Sequence, residues 1–159
     1  MLKHPLLSAL FVVSIGANLT TTSPAEEFAT LNEAKAMLDR AVIAIKEDKA
    51  TAIANFNHND PQYRDRDLFI FCFNRKDGKF TAHEAMIGWD VRTLQDIWGS
   101  PFGKEMFAVK DGETIEVTYL SPVPGSTMLS PRRAYVAGIG DQACGVSAYQ
   151  QNGQVARNH

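Results

Sequence analysis

The amino-acid sequence predicts a single α+β domain in which one long helix packs against an antiparallel sheet. An apolar pattern with the helical period runs from residue 31 to about residue 55, and β-rich segments begin at Leu68. A mixed stretch at residues 84–109 separates the first two predicted strands from the last three. This order is most simply accommodated by a five-stranded sheet with the helix on one face and the mixed stretch as an insertion.

The predicted helix has a clear start and a clear end. Thr30 and Glu33 stand at the spacing of a capping box, in which each side chain satisfies the other residue's backbone amide. The Asn/His/Asp/Pro cluster at residues 57–61 ends the helix. The apolar residues between these signals form one stripe. They are Leu31, Ala34, Leu38, Ala41, Val42, Ile45, Ile53 and Phe56.

The first hairpin follows at residues 68–83. Residues 68–74, LFIFCFN, are nearly all apolar, so we expect both faces of this strand to be covered, with Phe69, Phe71 and Phe73 on one face. The turn sequence NRKDG places Gly78 where a positive φ is needed, and residues 79–83 return as the second strand. The prediction is therefore a hairpin that is buried on both sides.

The second half of the chain supplies the insertion and three more strands. Residues 84–100 are predicted as a loop with a short helix, and residues 102–109 as a second short helix that stops at Asp111 and Gly112. The three strands are predicted at residues 113–121, 133–139 and 143–149, with a Pro/Gly/Ser-rich loop at 122–131.

Bulk composition indicates an ordinary globular domain. The chain has 159 residues, of which 45% are hydrophobic and 21% are charged, and this length allows one domain with a substantial core. The formal net charge of −2 argues against a nucleic-acid partner, since such a partner favours a basic face.

The amino terminus predicts export. Lys3 is followed by an apolar stretch at residues 6–17 that is short for a membrane span, and then by a Thr/Ser-rich stretch, which is typical of a secretory signal peptide. Cleavage before Glu26 and cleavage after Ala17 both remain open, and an uncleaved membrane anchor is the alternative. We therefore expect a signal peptide at 1–25, a domain at 26–150 and a polar tail at 151–159, in a periplasmic or secreted protein.

Export changes the expectation for the two cysteines, Cys72 and Cys144. Two cysteines in one small domain are usually paired in an oxidising compartment, whereas buried free thiols remain the alternative. Neither cysteine has a second Cys or His at ligand spacing, so we expect no metal site.

Three segments of the chain resemble the Cache domain, specifically the single type-2 form that occurs as a small exported protein. They are DRDLFIFCFNRKDGKFTAH, VRTLQDIWGSPFGKEMF and EVTYLSPVPGSTMLSPRRAYVAGIGDQACGVSAY, and the resemblance covers about residues 28–149. It implies a PAS-like fold with a long amino-terminal helix behind five antiparallel strands in the spatial order 2-1-5-4-3. The first strand would then lie beside the last, which would bring Cys72 and Cys144 within the reach of a disulfide.

The same resemblance implies function. Cache domains are extracytoplasmic sensor modules that bind small molecules such as carboxylates and amino acids, without chemistry of their own and without a cofactor. The 159 residues contain no kinase or methyl-accepting segment and no second apolar span, so we expect the domain to act through a separate membrane receptor or histidine kinase. The alternative is a structural or inhibitory interaction module with a vestigial pocket. An enzyme is disfavoured because HExxH, GxSxG and paired metal motifs do not occur.

In the family the ligand pocket lies between the sheet and the helical insertion, lined by the third and fourth strands. This points to Tyr119, Arg132, Arg133 and Tyr135, and an arginine there would bind a carboxylate bidentately. Strand alternation, however, separates Arg133 and Tyr135 from Arg132, so the two arginines cannot both line one pocket in a regular strand. Which arginine faces the pocket stays open at this point.

Four further residues are candidates for the pocket. His83 ends the first hairpin, but no nucleophile or metal site accompanies it, so we expect a binding role and not catalysis. The loop after His83 departs from the family, whose members often continue with HPNP. Trp89, Arg92 and Trp98 in the insertion are secondary candidates for the pocket wall, each with packing or surface exposure as the alternative.

Overall fold

Residues 28–150 are described by the computed structural model, and they form a helical layer, a central sheet and an insertion on the opposite face. The predicted signal peptide and the predicted tail lie outside the described residues. The helices are α1 (Leu31–Glu47), α2 (Lys49–Asn57) and α3 (Phe102–Phe107), with a 3-10 turn at Val91–Thr93. The strands are β1 (Arg64–Asp65), β2 (Leu68–Phe69), β3 (Phe71–Asn74), β4 (Phe80–Ala82), β5 (Thr114–Pro122), β6 (Leu129–Ile139) and β7 (Gln142–Tyr149).

The central sheet has the order β4-β3-β7-β6-β5, and every neighbouring pair is antiparallel. This is the order 2-1-5-4-3 when the five strands are counted along the chain, so the predicted fold class is confirmed. The short hairpin β1–β2 stands apart as a two-stranded sheet. The last strand, β7, therefore lies in the centre of the sheet between β3 and β6.

The long helix differs from the prediction because it is divided at Asp48. The predicted capping box at Thr30 and Glu33 is present, with the Thr30 amide donating to Glu33 Oε2 at 2.7 Å. α1 then ends at Glu47, since Asp48 takes the extended backbone conformation at φ −152°. Its side chain accepts a hydrogen bond from the Thr51 amide at 3.1 Å and so caps α2. A carboxylate that competes for backbone amides thus ends one helix and starts the next.

The sheet is buried on both faces, as the apolar run at residues 68–74 predicts. Leu68, Ile70 and Cys72 pack with α1 and α2 on one face. Phe71 and Phe73 pack with the insertion on the other face. Several small residues on the sheet and on α1 let the helix approach the strands closely. They are Ala82, Ala137, Cys144 and Ala148 on the sheet and Ala34 and Ala41 on α1.

The strand β6 begins earlier than the sequence predicts. It starts at Leu129 and includes Pro131, which pairs with Leu120 of β5. The Pro131 carbonyl accepts a hydrogen bond from the Gln150 amide at 2.8 Å, so the backbone polar groups of Pro131 face the end of β7 and not β5. The missing amide of this proline therefore removes no hydrogen bond between β5 and β6.

Cys72 and Cys144 form a disulfide across β3 and β7. The two residues are direct partners in the strand register, their Cα atoms are 4.0 Å apart, and both are fully buried. The crosslink joins positions 72 residues apart, which limits the conformational freedom of the unfolded chain.

Replacing both cysteines by alanine is expected to lower the free energy of unfolding by on the order of 4 kcal/mol, the value that chain entropy gives for so long a loop. Urea unfolding followed by circular dichroism measures this change. Val146→Ala serves as the control, because it removes buried packing from the same strand without breaking a crosslink. A double variant within about 1 kcal/mol of the wild-type protein would contradict the expectation.

Candidate functional site

The candidate site is a cavity of about 210 Å³ between the sheet and the insertion. Its walls are mostly aromatic and aliphatic, and a small number of polar groups point inward. The lining residues are Phe69, Phe71, Phe80, His83, Met86, Leu94, Phe102, Met106, Tyr119, Arg132 and Ser147. Apolar walls with a few polar groups are the usual composition of a small-molecule pocket.

Strand register brings the polar groups together. Tyr119 of β5 is the direct partner of Arg132 of β6, so both side chains project from the same face of the sheet. The Tyr119 hydroxyl donates to Ser147 Oγ on β7 at 3.2 Å. Burial raises the pKa of Tyr119, so its phenol remains protonated at physiological pH.

The insertion covers the cavity and is tied to the sheet at several points. The ring of Phe102 in α3 stacks on the ring of Tyr119, with centroids 4.1 Å apart. Gly103 of α3 lies against the Val91 carbonyl, where a Cβ atom would clash with the backbone. The Asp96 carboxylate accepts hydrogen bonds from the amides of Ser100 at 2.9 Å and of Leu120 on β5 at 3.3 Å. The cover therefore rests on packing as well as on hydrogen bonds.

Arg132 places a buried guanidinium in this cavity. Its side chain is only 12% exposed. Nη2 donates to the carbonyls of Ser147 at 2.9 Å and Asp67 at 3.3 Å, and it lies 3.6 Å from Asp67 Oδ2. The guanidinium carbon stands 4.6 Å from the centre of the Tyr149 ring. Two buried polar atoms, Arg132 Nε and Asp67 Oδ2, have no hydrogen-bond partner within the described residues.

His83 is another polar residue that lines the same cavity. Its Nδ1 accepts hydrogen bonds from the amides of Ala85 at 3.0 Å and Met86 at 3.2 Å, which places the ring proton on Nε2. Edge-to-face contacts with Phe69 and Phe80 hold the ring. Burial lowers the pKa of His83 from its usual 6.5 to about 4, and the charge of Glu84 offsets only part of this effect.

Two of the sequence-predicted residues lie on the other face of the sheet. Tyr135 is buried in the core beneath α1, and Arg133 pairs with Glu116 at 3.2 Å. The strand is regular through residues 132–136, so the alternation that separates the two arginines holds here. Arg132 is the arginine that lines the cavity, and neither Arg133 nor Tyr135 contributes to it.

The three candidates from the insertion also lie away from the cavity wall. Trp89 and Trp98 are 60% and 75% exposed. Arg92 stacks over the ring of Phe107 at 4.9 Å and pairs with Asp90 at 2.6 Å, which is a packing role. Arg132, Tyr119 and His83 are thus the predicted residues that the fold brings together.

Several wall residues do not stand out in the sequence. Ser147 is a buried polar residue, and its period-two position on β7 is the one signal that indicates an inward side chain. Met86 and Leu94 come from irregular segments, where no periodicity indicates which way a side chain points. Phe102 and Met106 become wall residues only because α3 packs against the 3-10 turn.

A second, larger groove of about 670 Å³ lies on the helix side of the molecule. Its lining carries charges of both signs, including Lys49 and Asp141, which pair at 2.7 Å. Its lining is much more polar than that of the candidate site, whereas small-molecule pockets are mostly apolar. Among residues 28–150 we find neither a helix long and apolar enough to cross a membrane nor a cluster of side chains able to hold a metal ion.

The fold is shared with bacterial sensory domains of solved structure. A methyl-accepting chemotaxis protein from Vibrio parahaemolyticus RIMD 2210633 matches with a TM-score of 0.57 and 19% identity, over 74% of this chain and 86% of that chain. A Cache chemosensory domain, described as a structural basis for carboxylic acid recognition, matches with a TM-score of 0.53 and 17% identity, over 75% of this chain and 87% of that chain. The chain has the Cache fold.

A third structure, a periplasmic sensor domain of a chemotaxis protein, shows the same Cache architecture with a TM-score of 0.55 and 17% identity, over 75% of this chain and 89% of that chain. The sequence itself matches no protein-family model and no curated protein. The likeness therefore lies in the fold.

The half-buried His83, which is neutral at pH 7, generates a prediction about pH. In the unfolded chain His83 takes up a proton near pH 6.5, whereas in the folded protein it does so only near pH 4, so stability falls as the pH is lowered through this window. We expect this fall to be smaller in His83→Asn, whose side-chain oxygen still accepts the amides of Ala85 and Met86. Urea unfolding at pH 7, 6, 5 and 4.5 measures it, and parallel curves for the two proteins would contradict the prediction.

Proposed function

We propose that this protein is an exported sensor or accessory module that binds a small carboxylate in the cavity and performs no chemistry on it. The observation that carries the proposal is that Arg132 lines an apolar cavity, while its Nε is buried in the protein without a hydrogen-bond partner. A guanidinium offers a carboxylate two parallel hydrogen bonds, and such bonds are strong where water is excluded.

The polar groups favour an acid over an amino acid. Arg132 and the Nε2 proton of His83 are donors, and both suit carboxylate oxygens. The ammonium group of an amino acid would need an acidic partner on the wall, and the wall contains no carboxylate. Asp67, the nearest carboxylate to Arg132, is directed to Arg132 and to the Ala29 amide. A related fold is described as a basis for carboxylic acid recognition, which supports the same ligand class here.

The size of the cavity limits the ligand to a few carbon atoms. Its volume of about 210 Å³ equals the liquid volume of roughly seven water molecules. The rings of Phe71, Phe80 and Phe102 leave an apolar space suited to a short alkyl chain.

Export is part of the proposal. A signal peptide at residues 1–25, the mature domain at 26–150 and the polar tail at 151–159 fit a periplasmic or secreted type-2 Cache protein. The buried disulfide supports this, because such crosslinks persist in oxidising compartments. The partner that receives the signal would be a separate membrane receptor or histidine kinase.

One observation favours the second candidate, an interaction module with a vestigial pocket. Arg132 already has a carboxylate neighbour in Asp67, at 3.6 Å, and the cavity is smaller than the pockets that hold drug-sized ligands. Under this alternative Arg132 would be a structural residue, and no small carboxylate would bind.

The proposal predicts saturable binding of propionate by the purified wild-type protein, measured by titration calorimetry. Propionamide, which lacks the charge, and alanine, which adds an ammonium group to the same skeleton, should bind at least about tenfold more weakly, the factor expected from losing a charged hydrogen bond. Arg132→Gln should lose at least as much affinity for propionate.

Arg133→Gln is the matched control, since it removes the same charge from the next residue on the opposite face. It should bind propionate as the wild-type protein does. If no straight-chain carboxylate from acetate to valerate binds, or if Arg132→Gln binds as well as the wild-type protein, the proposed function is wrong.

A further inference from the structure

The carboxylate of Asp67 connects the pocket to the start of α1. Asp67 lies in the tight turn between β1 and β2, and its side chain is 10% exposed. Oδ1 accepts a hydrogen bond from the Ala29 amide at 2.8 Å, 38 residues away in the chain. Oδ2 lies 3.6 Å from Nη2 of Arg132. One buried carboxylate therefore contacts both the cation of the pocket and the residue that precedes the capping box.

Arg66, the other residue of the turn that carries Asp67, also contacts the amino-terminal end of α1. Arg66 has a φ of +50°, a conformation that is uncommon for a residue with a side chain. Its guanidinium pairs with Glu33 of the capping box at 2.5 Å and donates to the Phe28 carbonyl at 3.4 Å. Arg66 and Asp67 thus hold the amino-terminal end of α1 through separate contacts, Arg66 at Glu33 and Phe28 and Asp67 at Ala29.

A third contact joins Arg132 to this unit. The Tyr149 ring lies against the Arg132 guanidinium and also contacts the Phe28 ring in an edge-to-face arrangement, with centroids 5.2 Å apart. Arg132 is therefore linked to the segment before α1 through charge at Asp67 and through packing at Tyr149.

We propose that Asp67 transmits the charge state of the pocket to the start of α1: an anion bound by Arg132 competes with Asp67 for the guanidinium and loosens the hold of Asp67 on Ala29. The ligand in this regulatory link comes from the proposed function. The Arg132–Asp67–Ala29 connection does not depend on that proposal. Two carboxylates that share one cation repel each other. Of the two, we expect the Asp67 carboxylate to shift, because it is attached to a short turn.

The pairing observed between Arg132 and Asp67 fits such a competition. At 3.6 Å it is an ion pair without a hydrogen bond, and Arg132 Nε and Asp67 Oδ2 are both buried and unpartnered. An incoming carboxylate that bonds the guanidinium divides its charge between two anions and weakens its attraction for Asp67 Oδ2. By thermodynamic linkage, binding of an anion in the pocket then weakens the hydrogen bond at Ala29, and formation of that hydrogen bond weakens binding of the anion by the same factor.

Amide hydrogen exchange, followed by NMR at single residues, tests the connection without any ligand. In Arg132→Gln the Ala29 amide should exchange at least about tenfold faster, as expected when a charge-assisted hydrogen bond is weakened. The Thr30 amide is an internal reference, since its acceptor is Glu33 and not Asp67. Arg133→Gln is the matched control and should leave Ala29 unchanged. If Ala29 exchanges at the wild-type rate in Arg132→Gln, the proposal is overturned.

Propionate and propionamide, added to the same proteins, test the regulatory step. Propionate should speed exchange at Ala29 in the wild-type protein, and propionamide should not. Asp67→Asn should bind propionate several-fold more tightly, because the competing charge is gone, whereas Asp65→Asn in the same hairpin should not. Unchanged affinity in Asp67→Asn, or no response of Ala29 to bound propionate, overturns the regulatory step.

The two proposals fail in different ways. If propionate does not bind the wild-type protein, the proposed function and the ligand step both fail, and the result for Arg132→Gln still decides the Arg132–Asp67–Ala29 connection. If propionate binds but neither Ala29 exchange nor Asp67→Asn affinity responds, the proposed function stands and the coupling is wrong.

Discussion

The pairing of β3 with β7 is the interaction on which the rest of the structure depends. It joins the first strand of the central sheet to the last and places Cys72 directly opposite Cys144. It also requires a glycine at position 145, because a Cβ atom there would collide with the ring of Phe71. The side of the sheet that carries this ring becomes a wall of the cavity, and the side that carries the disulfide becomes the floor beneath α1. The pairing of β3 with β7 thus positions residues of the two hydrophobic cores, one on each face of the sheet.

The buried charge of Arg132 is the second constraint. A guanidinium held away from water is tolerated when carbonyls, a carboxylate and an aromatic face surround it, as those of Ser147, Asp67 and Tyr149 do here. Its Nε nevertheless lacks a partner, so the environment of the charge is incomplete. A buried donor without a partner calls for an explanation, and a guanidinium that lines an apolar cavity offers an anion a point of attachment.

The regular elements were predictable because hydrophobic period and capping chemistry are local. The capping box, the two covered faces of residues 68–74 and the positive φ of Gly78 follow from short patterns. The strand order came from the family resemblance, since period alone does not say which strands are neighbours. The division of the helix at Asp48 was missed because a mid-helix carboxylate gives no sign that it will cap a second helix.

The site was only partly predictable for the same reason. Alternation separated Arg132 from Arg133, but choosing between them required the position of the sheet relative to the insertion. The role of Asp67 depends on contacts 38 and 65 residues away in the chain, and no short pattern reveals such contacts.

A crystal structure of the mature protein with propionate tests most directly whether Arg132 holds an anion in competition with Asp67. We expect a carboxylate in the cavity within hydrogen-bond distance of the Arg132 guanidinium, its alkyl chain against the phenylalanine rings, and a longer separation between Arg132 and Asp67 than the present 3.6 Å. A cavity closed by the protein's own side chains, or propionate bound elsewhere on the surface, would contradict it.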